Sequence, residues 1–150
     1  MNALFIINDP PYGSERVYNA LRLAHALAKQ DAAHQVTVFL MADAVLAAKA
    51  AQKTPDGFYN VERMLKRVLT GKGRVLLCGA CMDARGIDQS ELMEGAQRST
   101  MDELAAETGA ADKVLVFDRA FACGIRSCRA SAHERATQPG CSTQPLRRAR

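Results

Sequence analysis

Cys78 and Cys81 stand three positions apart at the end of the apolar run Val75–Cys78, with Asp83 and Arg85 close behind. Ligands of open α/β sheets gather outside the carboxyl ends of parallel strands, so a thiol at that place is presented for chemistry. The thiolate is the nucleophilic form of cysteine, and Arg85 with the free N–H groups of the following turn would stabilise it. Asp83 would oppose that effect or serve in proton transfer. The competing explanation makes Cys78 a buried small hydrophobe and Cys81 incidental. The spacing alone permits three chemistries. A thioredoxin-like redox pair wants the motif at a helix N-terminus after an early strand, and Cys78-Gly79-Ala80-Cys81 fits that loosely, after the third. A structural zinc site needs four ligands, and residues 1–117 carry no second Cys-x-x-Cys or His pair, so no metal is expected there. The third chemistry is a sulfur carrier, in which one cysteine holds sulfane sulfur as a persulfide.

The loop Asp9–Glu15 is a weaker candidate. Gly13 and Ser14 stand where a helix begins and free N–H groups could meet an anion. A single glycine satisfies neither a P-loop nor a G-x-G-x-x-G fingerprint, so no nucleotide cofactor is expected. Tyr12 follows a strand at the same sheet edge as Cys78, which makes Tyr12, Gly13 and Ser14 candidate walls of the Cys78 pocket. Packing or turn formation is the competing reason for Tyr12. His25 and His34 are expected to be solvated side chains.

Alternating strands and helices must position these residues. Ala3–Ile7, Val36–Met41, Val75–Cys78 and Lys113–Phe117 read as strands buried on both faces, and Leu92–Ala96 as a shorter one. Helices are predicted from Ser14, as cap, through Ala28; over Asp43–Ala51; and from Asn60 to Leu69. A fourth runs from the capping box Thr100–Glu103 to a stop at Gly109. Such alternation gives an α/β domain: a parallel sheet of about five strands with helices on both faces.

Composition sets the outer limits. The 150 residues are 48% hydrophobic and 24% charged, a globular balance. No apolar run approaches the ~20 residues of a membrane span. The N-terminus has no basic segment before its short apolar run, so a cytoplasmic protein is expected. Five cysteines in a reducing compartment point to reactivity rather than stapling. The net charge is +4, but seven arginines fall within residues 118–150, leaving the body slightly acidic. Specific nucleic-acid binding is therefore not expected. Residues 118–150 lack periodicity and large apolar side chains, and are predicted to form a disordered tail beyond a domain of residues 1–117. Cys123, Cys128, His133 and Cys141 in that tail do not match common zinc spacings.

Four segments carry a resemblance. Asn8-Asp9-Pro10-Pro11-Tyr12-Gly13-Ser14-Glu15, Leu40-Met41-Ala42-Asp43-Ala44-Val45, Cys78-x-x-Cys81-x-Asp83-x-Arg85-Gly86-Ile87 and Ala111-Asp112-Lys113-Val114-Leu115 occur in this order. Together they resemble the DsrE/DsrF-like sulfur-relay family, and within it the small YchN-like bacterial branch, over about residues 1–117. The resemblance implies a flavodoxin- or Rossmann-like domain that assembles into homotrimers or hexamers. The family's sulfur-accepting cysteine, where present, lies seven residues before an Arg-Gly pair, which here makes it Cys78 ahead of Arg85-Gly86. Cys81 matches a second cysteine found mainly in the YchN-like branch. Residues from Asp118 onward inherit nothing. The implied function is an intracellular sulfur relay, taking sulfur from a donor protein and passing it to an acceptor protein. Two rivals stand beside it: a non-enzymatic oligomeric module whose cysteines merely pack, and a dithiol oxidoreductase using both cysteines. A subunit interface is expected on the Ala-, Met-, Leu- and Val-rich segments Asp43–Ala51 and Asn60–Leu69.

Overall fold

The computed structural model describes residues 1–118. The expectations for a disordered tail over 118–150, and for Cys123, Cys128, His133 and Cys141, fall outside the described residues apart from Asp118. Five strands, β1 (Asn2–Ile7), β2 (Gln35–Leu40), β3 (Arg74–Cys78), β4 (Ala96–Ser99) and β5 (Lys113–Phe117), form one sheet in the order β4-β3-β2-β1-β5. Every pairing is parallel. The helices are α1 (Arg16–Gln30), α2 (Val61–Thr70), α3 (Gly79–Asp83) and α4 (Met101–Ala110). The chain steps from β1 to β4 in one direction across the sheet. Right-handed crossovers then require α4 to return over the opposite face and deliver β5 beside β1. Among the described residues no helix is long and apolar enough to cross a membrane.

The two faces are packed unequally. One buries Phe5, Val38 and Leu77 under Val17, Leu21, Leu65 and Val68 of α1 and α2. The other holds a smaller cluster: Leu4, Phe39, Leu76, Cys78 and Leu104, the last being the buried residue of α4. Local capping agrees with the sequence at two helices. Asn60 accepts from the N–H of Arg63, and Thr100 from that of Glu103, each satisfying a donor that the first helical turn leaves open.

The structure corrects several local expectations, each for a tertiary reason. Segment Ala42–Ala48 is a 3₁₀ helix rather than the α-helix expected over Asp43–Ala51. Its end is drawn into an antiparallel bridge between Lys49 and Leu92, with hydrogen bonds from Ala50 N–H to Glu91 and from Met93 N–H to Ala48. Those bonds replace the i→i−4 ladder. Leu92 and Met93 are buried from a loop, and pairing with β3 starts only at Ala96, after Gly95 turns the chain at a φ of +86°. A side chain there would be strained, because that φ lies in the left-handed region that favours glycine. Ser14 does not cap α1; its hydroxyl donates to Asp9 at 2.8 Å, and Arg16 reaches the same carboxylate oxygen. Gly109 lies inside α4. Strand β5 is an edge strand, not a buried one, with Val114 41% and Val116 60% exposed. The expected interface segments bury Ala44, Val45, Ala47, Ala48, Val61, Leu65 and Val68 within this chain, and leave Leu46, Met64 and Leu69 half-buried.

Glu62 ties α2 to the loop before it. Its carboxylate receives Lys66 Nζ at 2.6 Å and the N–H of Gln52 at 2.8 Å while the side chain is nearly buried. The Lys66 hydrogen bond, helped by the backbone donors of Gln52 and Ala51 and partly opposed by burial, holds its pKa below the ordinary glutamate range. A carboxyl depressed on folding adds stability above its unfolded pKa of about 4.3, and that contribution is lost as pH falls through the lower folded value. Glu62→Gln should therefore lower stability at pH 7 by about 1.5–3 kcal/mol, the scale of hydrogen bonds to a charged group. Urea unfolding at pH 7 and at pH 3 checks this: the deficit should shrink at the lower pH.

Candidate functional site

Cys78 ends β3 and its backbone, at φ −61° and ψ 113°, starts α3. Three residues on, one helical turn returns Cys81 to the same corner. Cys81 packs against Cys78's cluster from the far side of that turn, and its Sγ accepts from the N–H of Ala42 at 3.2 Å. Both are free thiols; Cys78 is buried and Cys81 half-buried. Burial first, and then a hydrogen bond with the Cys78 side chain, raise the pKa of Cys81. The Ala42 N–H and the charge of Arg85 pull it down less strongly. Cys81 therefore keeps its proton at neutral pH and stands as a neutral neighbour to Cys78.

Arg85 reaches this corner through the backbone. Its Nη1 donates to the carbonyl of Cys81 at 3.0 Å, while Nε and Nη2 hold Asp43 Oδ1 at 2.9 and 2.7 Å. It ties α3 to the 3₁₀ helix after β2, and Asp43 balances its charge. Asp83 is exposed and takes both Nη atoms of Arg98, at 2.8 and 2.6 Å. That hydrogen bonding holds its carboxyl below the ordinary aspartate range. An ionised, paired carboxylate is not a proton donor at neutral pH.

Arg98 is absent from any reading of the motif. Its strand reads Ala-Gln-Arg-Ser, with no apolar alternation, and only register places it here. Leu77 pairs with Arg98, and Cys78 with Ser99. The Arg98 guanidinium lies against Gly79, where a Cβ would fall 2.9 Å from Nε and 3.0 Å from Cζ. Glycine between the strand and the first turn of α3 is what lets the guanidinium come this close.

The loop after β1 does not join the thiols. Tyr12 donates from its hydroxyl to Gln52 at 2.7 Å, accepts from the N–H of Val61 at 3.2 Å and stacks on Tyr59. With Gly13, Lys53, Phe58 and Tyr59 it lines a cavity of about 450 Å³ whose lining includes neither cysteine. The expected shared pocket of Tyr12, Gly13, Ser14 and Cys78 is thus replaced by two separate places. Internal demand explains the change: Asp9, buried, takes the Ser14 hydroxyl and the Arg16 guanidinium that would otherwise face an outside anion. Of the two histidines among the described residues, His34 is half-buried and donates from Nδ1 to the Leu27 carbonyl at 3.0 Å, so it is not simply solvated. His25 is half-buried too; burial first, then Lys29 and Arg67, lower its pKa.

Comparison with known proteins follows the same outline. Residues 1–117 match the DsrE/DsrF-like family. Protein YchN of Escherichia coli K12 is 43% identical over 114 residues, covering 76% of this chain and 97% of that protein. An uncharacterised protein of Methanocaldococcus jannaschii is 36% identical over 117 residues, covering 78% of this chain and 100% of its own length. The crystal structure of the E. coli ychN protein superposes with a TM-score of 0.73, covering 78% of this chain and 100% of that one. A protein of unknown function from Methanobacterium thermoautotrophicum reaches 0.62 at 14% identity, covering 76% of this chain and 97% of its own, and shares the fold. These matches lead to one assignment: the chain belongs to the DsrE/DsrF-like family.

Proposed function

We propose that the chain carries sulfane sulfur as a persulfide on Cys78, taking it from a donor protein and passing it to a cysteine of an acceptor protein in the cytoplasm. The observation that supports this most is the thiol pair itself: a buried Cys78 at the carboxyl end of β3, facing a Cys81 that stays protonated. In the loading step the Cys78 thiolate attacks the outer sulfur of a donor persulfide. A Cys78 S–S bond forms, the donor S–S bond breaks, and the donor leaves as a thiolate. The step is redox-neutral and needs no cofactor. Burial of Cys78 slows loss of the labile sulfur to small thiols. Intact-mass spectrometry after incubation with a cysteine-desulfurase persulfide tests the reading. A gain of about 32 Da that dithiothreitol removes is the expected result; an unchanged mass counts against it.

The contact between the two thiols also favours a second reading, a dithiol oxidoreductase cycling between Cys78–Cys81 disulfide and dithiol. Insulin reduction at the rate of a thioredoxin would select it.

Assembly into a homotrimer or hexamer belongs to the same proposal. Val114 and Val116 on β5 lie open beside half-buried Ile6, and exposed apolar side chains grouped on a sheet face are a common subunit contact. Val116→Asp should reduce the mass seen by sedimentation equilibrium to that of one chain. A wild-type chain that sediments as a monomer at micromolar concentration would end this part of the proposal.

A further inference from the structure

We infer that the cavity walled by Tyr12, Tyr59 and Phe58 and carrying Lys53 binds a small planar aromatic molecule that bears one acidic group. The inference rests on neither cysteine. One wall comes from Tyr12 and Gly13, in the loop that follows β1. The other comes from residues 53–59, which follow β2 through the 3₁₀ helix and lead into α2. The cavity thus belongs to loops beyond the carboxyl ends of parallel strands, where ligands of open α/β sheets gather. Its volume of about 450 Å³ is that of a small-molecule site.

The aromatic wall is fixed before any ligand arrives. Tyr59 stacks on Tyr12 at 5.8 Å between ring centroids and on Tyr18 at 4.4 Å, and the Arg22 guanidinium sits over the Tyr18 ring. Two hydrogen bonds, to Gln52 and from the N–H of Val61, hold the Tyr12 hydroxyl. A wall already held in place costs little entropy when a guest binds. Phe58 is the part that the fold does not use. It lies outside both buried clusters and is 71% exposed, although its backbone is held in a turn by a bond to the Pro55 carbonyl. A free ring beside a fixed aromatic wall favours a flat guest, because stacked rings gain more than the area they bury. Charge selects among flat guests. Lys53 is the cation among the lining residues, which include no carboxylate; Asp56 of the same turn is not one of them. Lys53 forms an ion pair with no carboxylate among the described residues. One cation in an aromatic setting matches one carboxylate or sulfonate on a ring, and does not match an oligophosphate.

The test is a fluorescence titration of 1-naphthoate with the full chain, which has no tryptophan to interfere. Binding should saturate with a Kd of about 1 mM or tighter, the range of a ligand of about 13 non-hydrogen atoms. Phe58→Ala should weaken it about three- to tenfold, and Lys53→Gln about fivefold. Both side chains are exposed, so neither variant should move the thermal midpoint. The neutral analogue 1-naphthalenemethanol should bind wild type about as weakly as naphthoate binds Lys53→Gln, and should be indifferent to that substitution. Cyclohexanecarboxylate, an acid without a flat ring, should displace naphthoate poorly. Cys78→Ser should bind naphthoate as wild type does, so a failed sulfur relay leaves this inference standing and a failed titration leaves the relay standing. Absence of saturable binding overturns the inference, as does binding unmoved by Phe58→Ala and Lys53→Gln. Equal affinity for the neutral analogue overturns the acidic-ligand assignment. If wild type binds no naphthoate and Phe58→Ala sediments at a lower mass, the face is a contact between copies of the chain, and the small-molecule site is refuted.

Discussion

Cys78→Ser should abolish the mass gain of about 32 Da that a persulfide donor confers, while Cys81→Ser should retain it. Serine keeps the size of the side chain but has no accessible anion, so the attack on the donor sulfur has no nucleophile. The two variants should differ in a second way. Once Cys78 is loaded, Cys81 lies in contact with it and can attack the inner sulfur. The products are a Cys78–Cys81 disulfide and hydrosulfide, leaving the chain about 2 Da lighter than its reduced form. Only the thiolate of Cys81 does this, and burial and the Cys78 contact raise its pKa. Loss of the stored sulfur should thus be slow at pH 7 and accelerate as pH rises, and Cys81→Ser should remove that route. Equal labelling of wild type and Cys78→Ser would remove Cys78 from its role. A loaded wild type that decays no faster than Cys81→Ser at high pH would show that Cys81 is a packing residue.

What the sequence made legible, and what it hid, follows from the range of the forces involved. Strands β1, β2 and β3 were readable within a residue, because a strand buried on both faces writes a continuous apolar run into the chain. Helix α2 was readable because Asn60 caps it and Val61, Leu65 and Val68 share its buried side. The Ala42–Ala48 segment was not, since alanine favours the α-helix locally and the bridge from Lys49 to Leu92 is a contact across 43 positions. At the site, the motif exposed the thiols but not that Arg85 is committed to Asp43 and the Cys81 carbonyl. The pairing of Asp83 with Arg98 was hidden as well, because it depends on the register of β4 on β3, which two strands decide together. Tyr12 shows the same limit from the other side. It sits beyond a strand end near the cysteines in topology, yet its hydroxyl is claimed by Gln52 and Val61.

Phe39→Ala should be the most damaging single core change on the face that carries the site, costing about 3–5 kcal/mol. Phe39 is fully buried and lies in the small cluster with Leu4, Leu76, Cys78 and Leu104. Among the described residues α4 contributes one buried side chain to that cluster, Leu104, and the half-buried Ile6, Met41, Cys81 and Ala111 pack around it. Few neighbours are available to collapse into the void, and a site that cannot relax keeps the full cavity cost. Against a typical total stability of about 5–15 kcal/mol, the loss is a large fraction. In urea the midpoint should fall by about 2 M. Val116→Ala, at an exposed site on the same sheet face, should stay within about 0.5 kcal/mol in the isolated chain. The void also opens next to Cys78, so alkylation of that thiol should speed up in Phe39→Ala under conditions where the chain remains folded. A destabilisation under 1 kcal/mol, or an unchanged alkylation rate in the folded variant, would mean that α4 does not seal Cys78 through this cluster, and the burial that protects a persulfide would have to come from a neighbouring subunit instead.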